Sequence, residues 1–487
     1  MDIEKKSVLL VSMPFTGLMM PDIRLHLLEK YLKERDIKVK TRHLYLKAAE
    51  FYGIPFYNSQ NRQNQKQLSF DEYVQRTDLF YNWVLEHVDW KTYDIIGFMV
   101  NPEQFLPSLA IAKQIKEQYP EKIIIFTGSQ TSGQLGVNVL RAFDLIDFVI
   151  SGDCEEAFYR LALNYQDYDS IPHLIYRIEN EVIWNQPDTY VNLNKLPIPD
   201  FDSFYKELSQ VSKEVRQFFL DKGRLPVEIS RGCWWSQCTF CNIGIQHPCY
   251  REKSVKRIIE EIKFLSDEYT IPRFQLIGNT LPKKDYRLLF EEIIKLGRDL
   301  DFCADVRPGQ LHSDDYRLMK EAGFNNILLN VFSFNQNFLK KMNTGIRVID
   351  NIAALKFCKE NGINALYDLL VNYPNEEDID FKETKKTLDK IKALDLDLPQ
   401  QLTNFVVHFG STIYNNPAAF NIKKLDYTDT DKLMFPLGIL EKNISFNYNF
   451  KRKKDIRKHD WEQLIREWRQ KKGKLYASVD MNITSTA

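Results

Sequence analysis

The feature that most constrains the fold is an alternation of short apolar segments with amphipathic stretches, which occurs in two series along the chain. In the first series, strand candidates such as Ser7–Ser12 and Lys122–Thr127 are separated by helix candidates such as Ala110–Gln118. Strands joined through helices need crossover connections, and these build a parallel sheet with helices on its faces. We therefore predict an α/β fold in which residues 1–165 form a doubly wound, Rossmann-like domain.

The second series predicts a different α/β architecture over residues 221–415. Its strand candidates alternate with amphipathic helix candidates and are Val227–Ser230, Phe274–Ile277, Phe302–Val306, Ile327–Phe332, Ala365–Val371 and Thr403–His408. Six successive βα units predict a partial (β/α)6 barrel. Prolines in residues 166–220 disfavour helix and sheet, so this stretch is predicted to be a linker. Residues 416–487 are predicted to form a small α+β extension.

Composition and charge exclude several functional classes. Lysine and arginine together number 66, as do aspartate and glutamate, so the chain lacks the basic excess with which nucleic-acid-binding domains meet phosphate. No apolar run approaches the ~20 residues that a bilayer span needs, and the charged start, Met1–Lys6, is unlike a secretory signal. Seven cysteines are too few for a disulfide framework. We expect a cytoplasmic protein that binds neither nucleic acid nor membrane.

The strand ends of the first series are candidates for a binding site. In doubly wound sheets, ligands bind beyond the carboxyl ends of the strands. Two of these ends carry small residues, namely Gly128 and Ser129 after one strand and Gly152 after another. They are consistent with a nucleotide or corrinoid pocket, although similar loops also end many parallel strands that bind no ligand.

Three cysteines on one short segment are the strongest sign of chemistry in the sequence. Cys233, Cys238 and Cys241 have C-x4-C-x2-C spacing, directly after the first strand of the second series. Three interpretations are open: unrelated buried cysteines, a structural zinc site completed by His247 or Cys249, and a [4Fe–4S] cluster. We favour the cluster, because three protein ligands leave one iron open to a non-protein ligand.

The segment from Gly232 to Cys241 resembles the radical S-adenosylmethionine (SAM) superfamily. The usual spacing there is C-x3-C-x2-C, so this chain carries one additional residue. From Ser7 to Phe450 the chain further resembles the branch that matures ribosomally made peptides (RiPPs), in which a cobalamin-binding-type domain precedes the barrel. The stretches that carry this resemblance are Val11–Phe15, Asp147–Phe158, Arg231–Trp235 and Leu355–Cys358.

The resemblance implies that the three cysteines hold a [4Fe–4S] cluster, which reduces SAM to methionine and a 5′-deoxyadenosyl radical. It also implies an electron donor such as flavodoxin or ferredoxin. The residues that we expect near SAM are Phe240, whose ring suits adenine, and the strand-end residues Gly278, Asn279, Arg307 and Ser333. The first domain has no D-x-H-x-x-G motif, so it either binds cobalamin without a histidine ligand or is vestigial and only holds peptide.

The expected reaction follows from the radical, which abstracts hydrogen from unactivated carbon. With cobalamin in the first domain, a precursor peptide would be C-methylated, and this is the function that we expect. Without cobalamin, a thiol that returns hydrogen would epimerise a Cα centre. The thiol candidates are Cys303 and Cys358, each of which also suits a small core position. A zinc-stabilised binding scaffold is the non-enzyme alternative.

Overall fold

The computed structural model describes residues 5–60, 70–187, 189–393, 396, 399–452, 461, 463 and 466. The chain forms two compact units. Among the described residues, the first unit consists of residues 5–226 with 428–446, and the second of residues 227–427 with 447–466. Within the described residues, no helix has both the length and the hydropathy that a membrane span requires.

The first unit is built around a seven-stranded sheet with the strand order β2-β1-β3-β4-β5-β6-β7. Its strands are β1 Val8–Ser12, β2 Val39–His43, β3 Ile95–Met99, β4 Ile123–Thr127, β5 Phe148–Ile150, β6 Leu174–Ile178 and β7 Glu181–Trp184. The helices up to residue 226 are α1 Ile23–Lys33, α2 Leu44–Tyr52, α3 Ile54–Gln60, α4 Phe70–His87, α5 Pro102–Gln118, α6 Gln134–Ala142, α7 Glu155–Asn164, α8 Asp202–Leu208 and α9 Lys213–Lys222.

Burial explains why the central strands of this sheet form. Every residue of β1 and β3 is buried, as expected for strands of a parallel sheet that is covered on both faces. Strands β1 to β5 pair in parallel. Their order has its switch point between β1 and β3, and ligands bind at such a point in folds of this kind. The first unit therefore has the predicted doubly wound arrangement.

Residues 166–220 differ from the predicted linker, because they belong to the first unit. β6 and β7 form an antiparallel hairpin that extends the sheet from β5. Glu207 of α8 fixes the following segment to β2, since it accepts hydrogen bonds from Arg42 Nε at 2.5 Å and from the backbone N of His43 at 2.8 Å. The prolines that suggested a linker lie between these elements, where a missing N–H disrupts no ladder.

The second unit contains a five-stranded sheet with the order β14-β13-β12-β11-β8. Its strands are β8 Leu225–Glu228, β9 Ser230–Arg231, β10 Arg251–Glu252, β11 Arg273–Ile277, β12 Asp301–Val306, β13 Asn326–Leu329, β14 Asn364–Leu366, β15 Asp368–Val371, β16 Gln401–Asn404, β17 Val407–His408, β18 Ile422–Tyr427 and β19 Asn447–Arg452. Its helices are α10 Ile243–Gln246, α11 Val255–Glu268, α12 Tyr286–Lys295, α13 Ser313–Glu321, α14 Gln336–Lys341, α15 Val348–Glu360, α16 Asp378–Ala393 and α17 Thr412–Asn415.

This series of strands corresponds to the six predicted βα units. The pairs β11–β12, β12–β13 and β13–β14 are parallel. β16 pairs in parallel with β15, which continues β14 beyond Tyr367. Each of the six predicted segments contains a strand, although the fourth is shorter than predicted and the first, fifth and sixth are interrupted.

The two faces of β12 have different surroundings. Phe302 packs between Phe274 and Phe324, whose ring centroids are 5.6 and 5.3 Å from its own. The ring of Phe324 also contacts α12. This face of the strand is therefore turned toward the helices. Side chains alternate along a strand, so the next residues occupy the other face. The opposite face, called here the inner face, carries Cys303 and Asp305, with Arg307 directly after the strand.

Residues 416–487 differ from the predicted separate extension in the part that is described. Helices α18 Asp429–Met434 and α19 Leu437–Leu440 belong to the first unit, where Gln130 Nε2 donates to the backbone O of Ile444 at 2.8 Å. β17, β19 and β18 form a three-stranded antiparallel sheet in the second unit. The segment is thus divided between the two units rather than folded by itself.

Candidate functional site

The three predicted cluster ligands lie on one loop, residues 232–242, which follows β9. Gly232 begins this loop with φ +84°, and a side chain there would meet the backbone O of Cys249 at 2.8 Å. Asn279 Nδ2 donates a hydrogen bond to the backbone O of Gly232 at 2.9 Å. Glycine is therefore needed at position 232 for its backbone conformation and for the close approach of a second chain segment.

The thiols of Cys233, Cys238 and Cys241 are partly buried and influence one another through their charges. Burial raises the pKa of Cys238 to about 12, and negative charge on Cys241 adds to this rise. The pKa of Cys241 is also raised, mainly by burial. Metal ions bind the thiolate, so a bound iron centre would displace the proton that burial otherwise retains.

A [4Fe–4S] cluster and a structural zinc ion place different demands on the cysteine loop. In such a cluster each of the three thiolates binds a different iron, so the sulfur atoms need not meet at one ion. A structural zinc needs four ligands within about 2.3 Å of a single ion. Among the residues that the structure describes, no group of three or more His, Cys, Asp or Glu side chains has an arrangement suited to a single ion.

Hydrogen bonds fix the cysteine loop to the segment that follows α14. Trp235 Nε1 donates to the backbone O of Asn343 at 2.9 Å, and Asn343 Nδ2 donates to the backbone O of Gln237 at 2.9 Å. The backbone N of Thr239 donates to the backbone O of Met342 at 3.0 Å. Residues on both sides of Cys238 are therefore held, as is typical of a supporting shell around a metal centre.

Gly278 and Asn279 follow β11 and lie against the strand that precedes the cysteine loop. A side chain at Gly278 would meet Ser230 Oγ at 2.5 Å and Ile229 at 2.9 Å. Ser230 Oγ is buried and has no hydrogen-bond partner among the described residues. Buried hydroxyl groups are normally satisfied, so this oxygen is available to a polar ligand such as SAM.

Arg307 lies at the end of β12, beside the cysteine loop. Its guanidinium carbon is 4.6 Å from the ring centroid of Trp235 and 5.4 Å from that of Trp234. It also donates a hydrogen bond to the backbone O of Thr344. Burial lowers the pKa of Arg307, whereas the charges of two of the cluster cysteines act in the opposite direction. Arg307 is therefore close to the predicted cluster ligands.

The other two residues expected near SAM, Phe240 and Ser333, lie close to one another. The ring of Phe240 is 5.2 Å from that of Phe332, which directly precedes Ser333. Ser333 is buried, and its Oγ accepts a hydrogen bond from the backbone N of Asn335 at 3.1 Å. Its hydroxyl therefore already has a structural role, while its part in SAM binding stays a prediction.

The inner face of β12 also holds an acidic residue that the sequence analysis missed. Asp305 lies between Cys303 and Arg307 on this face. Burial raises the pKa of Asp305 to about 7, and no hydrogen bond or ion pair reaches its carboxyl group from the described residues. The signal in the sequence was the alternation of Cys303 and Asp305 along a predicted strand, with Arg307 two residues further on, directly after its end.

The two thiol candidates occupy different layers of the second unit. Cys303 is fully buried on the inner face of β12. Cys358 is fully buried on α15, and its neighbour Phe357 contacts the ring of Tyr316 on α13 at 5.5 Å. Burial, and then the charge of Cys358, raise the pKa of Tyr316. Cys358 therefore lies in the helix layer, where it suits a small core residue.

In the first unit, the three predicted pocket residues follow β4 and β5. Gly128 has φ +126°, and a side chain there would clash with the backbone O of Val100. Ser129 is buried, and the next residue, Gln130, has a buried Oε1 that finds no hydrogen-bond partner in the described part of the chain. Gly152 follows β5 with φ +94°. An unsatisfied buried acceptor suits a polar ligand such as a corrinoid amide.

Comparison with known proteins supports the radical SAM superfamily. Residues 227–388, which include the cysteine loop, match the model of the family described as the radical SAM superfamily. This superfamily implies a [4Fe–4S] cluster and SAM, and these two predicted cofactors are thereby confirmed. An uncharacterized methyltransferase of Pyrococcus horikoshii is 27% identical over 315 residues, which are 63% of this chain and 66% of that protein. The chain thus spans slightly less than two thirds of this relative.

Two solved structures resemble nearly the whole chain. The cobalamin-dependent SAM radical enzyme OxsB with aqua-cobalamin bound has a TM-score of 0.68 at 15% identity, over 96% of this chain and 71% of that one. The radical SAM methyltransferase TsrM of Kitasatospora setae, with cobalamin and a [4Fe–4S] cluster bound, has a TM-score of 0.63 at 14% identity, over 92% and 84%. At these identities the likeness is one of fold.

Proposed function

We propose that this protein is a cobalamin-dependent radical SAM methyltransferase that modifies a ribosomally made precursor peptide at unactivated C–H positions. The observation that carries the proposal is that one chain combines an anchored three-cysteine loop with a doubly wound first unit. When bound, the cluster would supply the electron that cleaves SAM, and cobalamin would supply the methyl group. The methyltransferase relative and the two cobalamin-binding structures support this choice.

Residues of the second unit would hold and orient the cluster and SAM. Cys233, Cys238 and Cys241 would bind the cluster as thiolates. Ser230 Oγ, which is buried without a described partner, would hydrogen-bond SAM, and Gly278 keeps the space beside it free of a side chain. Orientation of this kind removes much of the entropic cost of reaching a reactive geometry.

For the first unit, we propose that cobalamin binds without a histidine ligand. His26, on the helix after β1, is fully buried, and its ring stacks on that of His43 with centroids 4.8 Å apart. Burial lowers the pKa of His26 to about 4, as expected for a neutral core residue. The predicted pocket residues Gly128, Ser129 and Gly152 lie at strand ends of the same sheet, where ligands of such folds bind.

The peptide substrate and the electron donor rest on the resemblance to the peptide-maturation branch. We propose a precursor peptide as substrate and a small reductant such as flavodoxin or ferredoxin as donor. An iron–sulfur cluster with one open iron needs reducing surroundings, which favours the cytoplasm as the place of action. The balanced charge of the chain gives no reason to expect a nucleic acid as a partner.

The proposal is tested in two steps with anaerobically reconstituted protein. Dithionite and SAM are added, and 5′-deoxyadenosine is measured by chromatography against a variant in which all three cluster cysteines are alanine. Hydroxocobalamin is then added to the wild type and to His26→Ala, and the corrinoid spectrum is recorded after gel filtration. We expect nucleoside only from the wild type and corrinoid in both proteins. Wild type without nucleoside contradicts the radical SAM reaction, and wild type without corrinoid contradicts the cobalamin part alone.

Epimerisation is a second candidate, favoured by the position of Cys303 on the inner face of β12. A thiol on this face could return a hydrogen atom to the substrate. The two reactions differ in their products, because methylation raises the mass of the peptide by a methyl group, whereas epimerisation in heavy water adds one deuteron at Cα. Under epimerisation, Cys303→Ala would stop turnover while SAM cleavage persists, and under methylation this variant would retain turnover.

A further inference from the structure

Two tryptophans of the cysteine loop share the cation of Arg307, and Trp234 also has Lys283 Nζ at 5.5 Å from its ring centroid. The guanidinium carbon of Arg307 is within cation–π distance of both Trp234 and Trp235, at 5.4 and 4.6 Å from their ring centroids. The ring of Trp235 also lies against Gly345, where a side chain would clash with it. Arg307 also donates to the backbone O of Thr344, next to this glycine. One side chain thus contacts both the cysteine loop and the segment that supports it.

The positive charge of Arg307 is not paired with a carboxylate in the described part of the chain. The acidic residue that influences it is Asp350, and Asp350 forms an ion pair with Arg347 at 2.6 Å. Its guanidinium group instead faces the rings of Trp234 and Trp235, the two residues that directly follow Cys233 in the loop, so its charge lies beside the predicted cluster ligands. Since the guanidinium is partly buried, its charge is screened less than that of a surface arginine.

We propose that Arg307 is a positioning residue of the cluster rather than a ligand of SAM: it fixes the cysteine loop through its two tryptophans and raises the reduction potential of the cluster. The inference rests on the proposed function to the extent that a cluster must be bound. Reduction adds an electron to the cluster, and a fixed positive charge nearby stabilises the reduced form more than the oxidised one. Residues around the ligands of a metal centre tune its potential in this way.

The test compares three variants of the full-length, anaerobically reconstituted protein. Arg307→Met removes the charge and keeps a side chain of similar length. Arg307→Lys keeps the charge but loses the planar group that stacks on tryptophan. Arg317→Met is the matched control. Arg317 is exposed on α13, so this substitution makes the same change of charge outside the site. Iron and sulfide content and the midpoint potential, from a titration followed by electron paramagnetic resonance, are measured without substrate.

We expect Arg307→Met to hold less iron than wild type or to have a more negative midpoint potential. The midpoint potential of Arg307→Lys should lie between those of Arg307→Met and wild type, and Arg317→Met should match wild type. If Arg307→Met has the iron content and the midpoint potential of wild type, the inference is overturned. This holds even when that variant binds SAM more weakly. If Arg307→Met does not fold, Arg307→Lys decides: wild-type iron content and potential in this variant, despite the lost stacking, would overturn the positioning role. Wild type without a cluster would instead contradict the proposed function.

Discussion

Replacing Asp305 by asparagine should make the protein more stable, and increasingly so as the pH rises. Burial raises the pKa of Asp305 to about 7 from a reference value of 3.8. Above pH 3.8 the unfolded chain ionises this carboxyl while the folded chain keeps it protonated, so stability falls as the pH rises toward 7. Asparagine cannot ionise and is nearly isosteric. No described hydrogen bond of the carboxyl is lost, so the variant removes the cost without breaking a known contact.

The magnitude follows from the two pKa values. A gap from 3.8 to about 7 corresponds, at about 1.4 kcal/mol per pH unit, to an upper limit of about 4 kcal/mol in the free energy of unfolding. The side chain of Asp305 keeps partial access to solvent, which reduces the effect, and we expect about 2–4 kcal/mol at pH 8. At pH 5 about 1.5 kcal/mol remains. For a unit of about 200 residues, these values raise the midpoint of thermal unfolding by at least about 4 °C at pH 8.

The assay is thermal unfolding of wild type and Asp305→Asn at pH 5, 6, 7 and 8 in one buffer series. Asp299→Asn serves as the control, because it makes the same chemical change on an exposed loop residue shortly before β12. We expect the difference between Asp305→Asn and wild type to grow with pH and that of the control to stay constant. A difference that is flat, or that reverses in sign at pH 8, would refute the placement of Asp305 on a buried inner face.

Two further predictions concern the cysteines. Replacement of Cys233, Cys238 and Cys241 together by alanine should abolish iron binding, whereas Cys249→Ala should retain the iron of wild type. Elemental analysis after reconstitution decides between one shared centre and unrelated thiols. Cys358→Ala should lower the free energy of unfolding by about 1–2 kcal/mol, because removal of a fully buried thiol leaves a small cavity. Formation of 5′-deoxyadenosine should persist in this variant. Loss of the nucleoside in a folded variant would contradict a purely structural role.

The central strands of both units could be predicted because their signal is local. Ser7–Ser12 and Lys122–Thr127 are short apolar runs between helix-forming stretches, and the structure has strands at Val8–Ser12 and Ile123–Thr127. The cysteine loop was equally visible, since its three thiols lie within nine residues. Where a pattern is complete within one segment, the physical constraint acts on neighbouring residues and can be read from the chain alone.

The edge of the first sheet could not be predicted in the same way. β7, Glu181–Trp184, has an exposed or half-buried residue at every position, so no apolar run marks it. It is stabilised by pairing with β6, and β6 in turn by pairing with β5. The prolines of this region suggested a linker because they weaken regular structure locally, but they stand outside the ladders. Long-range pairing, which the sequence does not display, decided the outcome.

The arrangement of the site required one more piece of information, namely which face of β12 is turned inward. Alternation alone places Cys303, Asp305 and Arg307 on one face, but it does not say whether that face meets the helices or the site. The choice is made by Phe302, whose ring packs between Phe274 of β11 and Phe324 near β13. These contacts hold the aromatic side chains toward the helix layer, and the opposite face must then receive the thiol, the carboxyl and the guanidinium. Because the aromatic packing is what turns Asp305 inward, its raised pKa and the position of Arg307 beside the cysteine loop have the same structural origin.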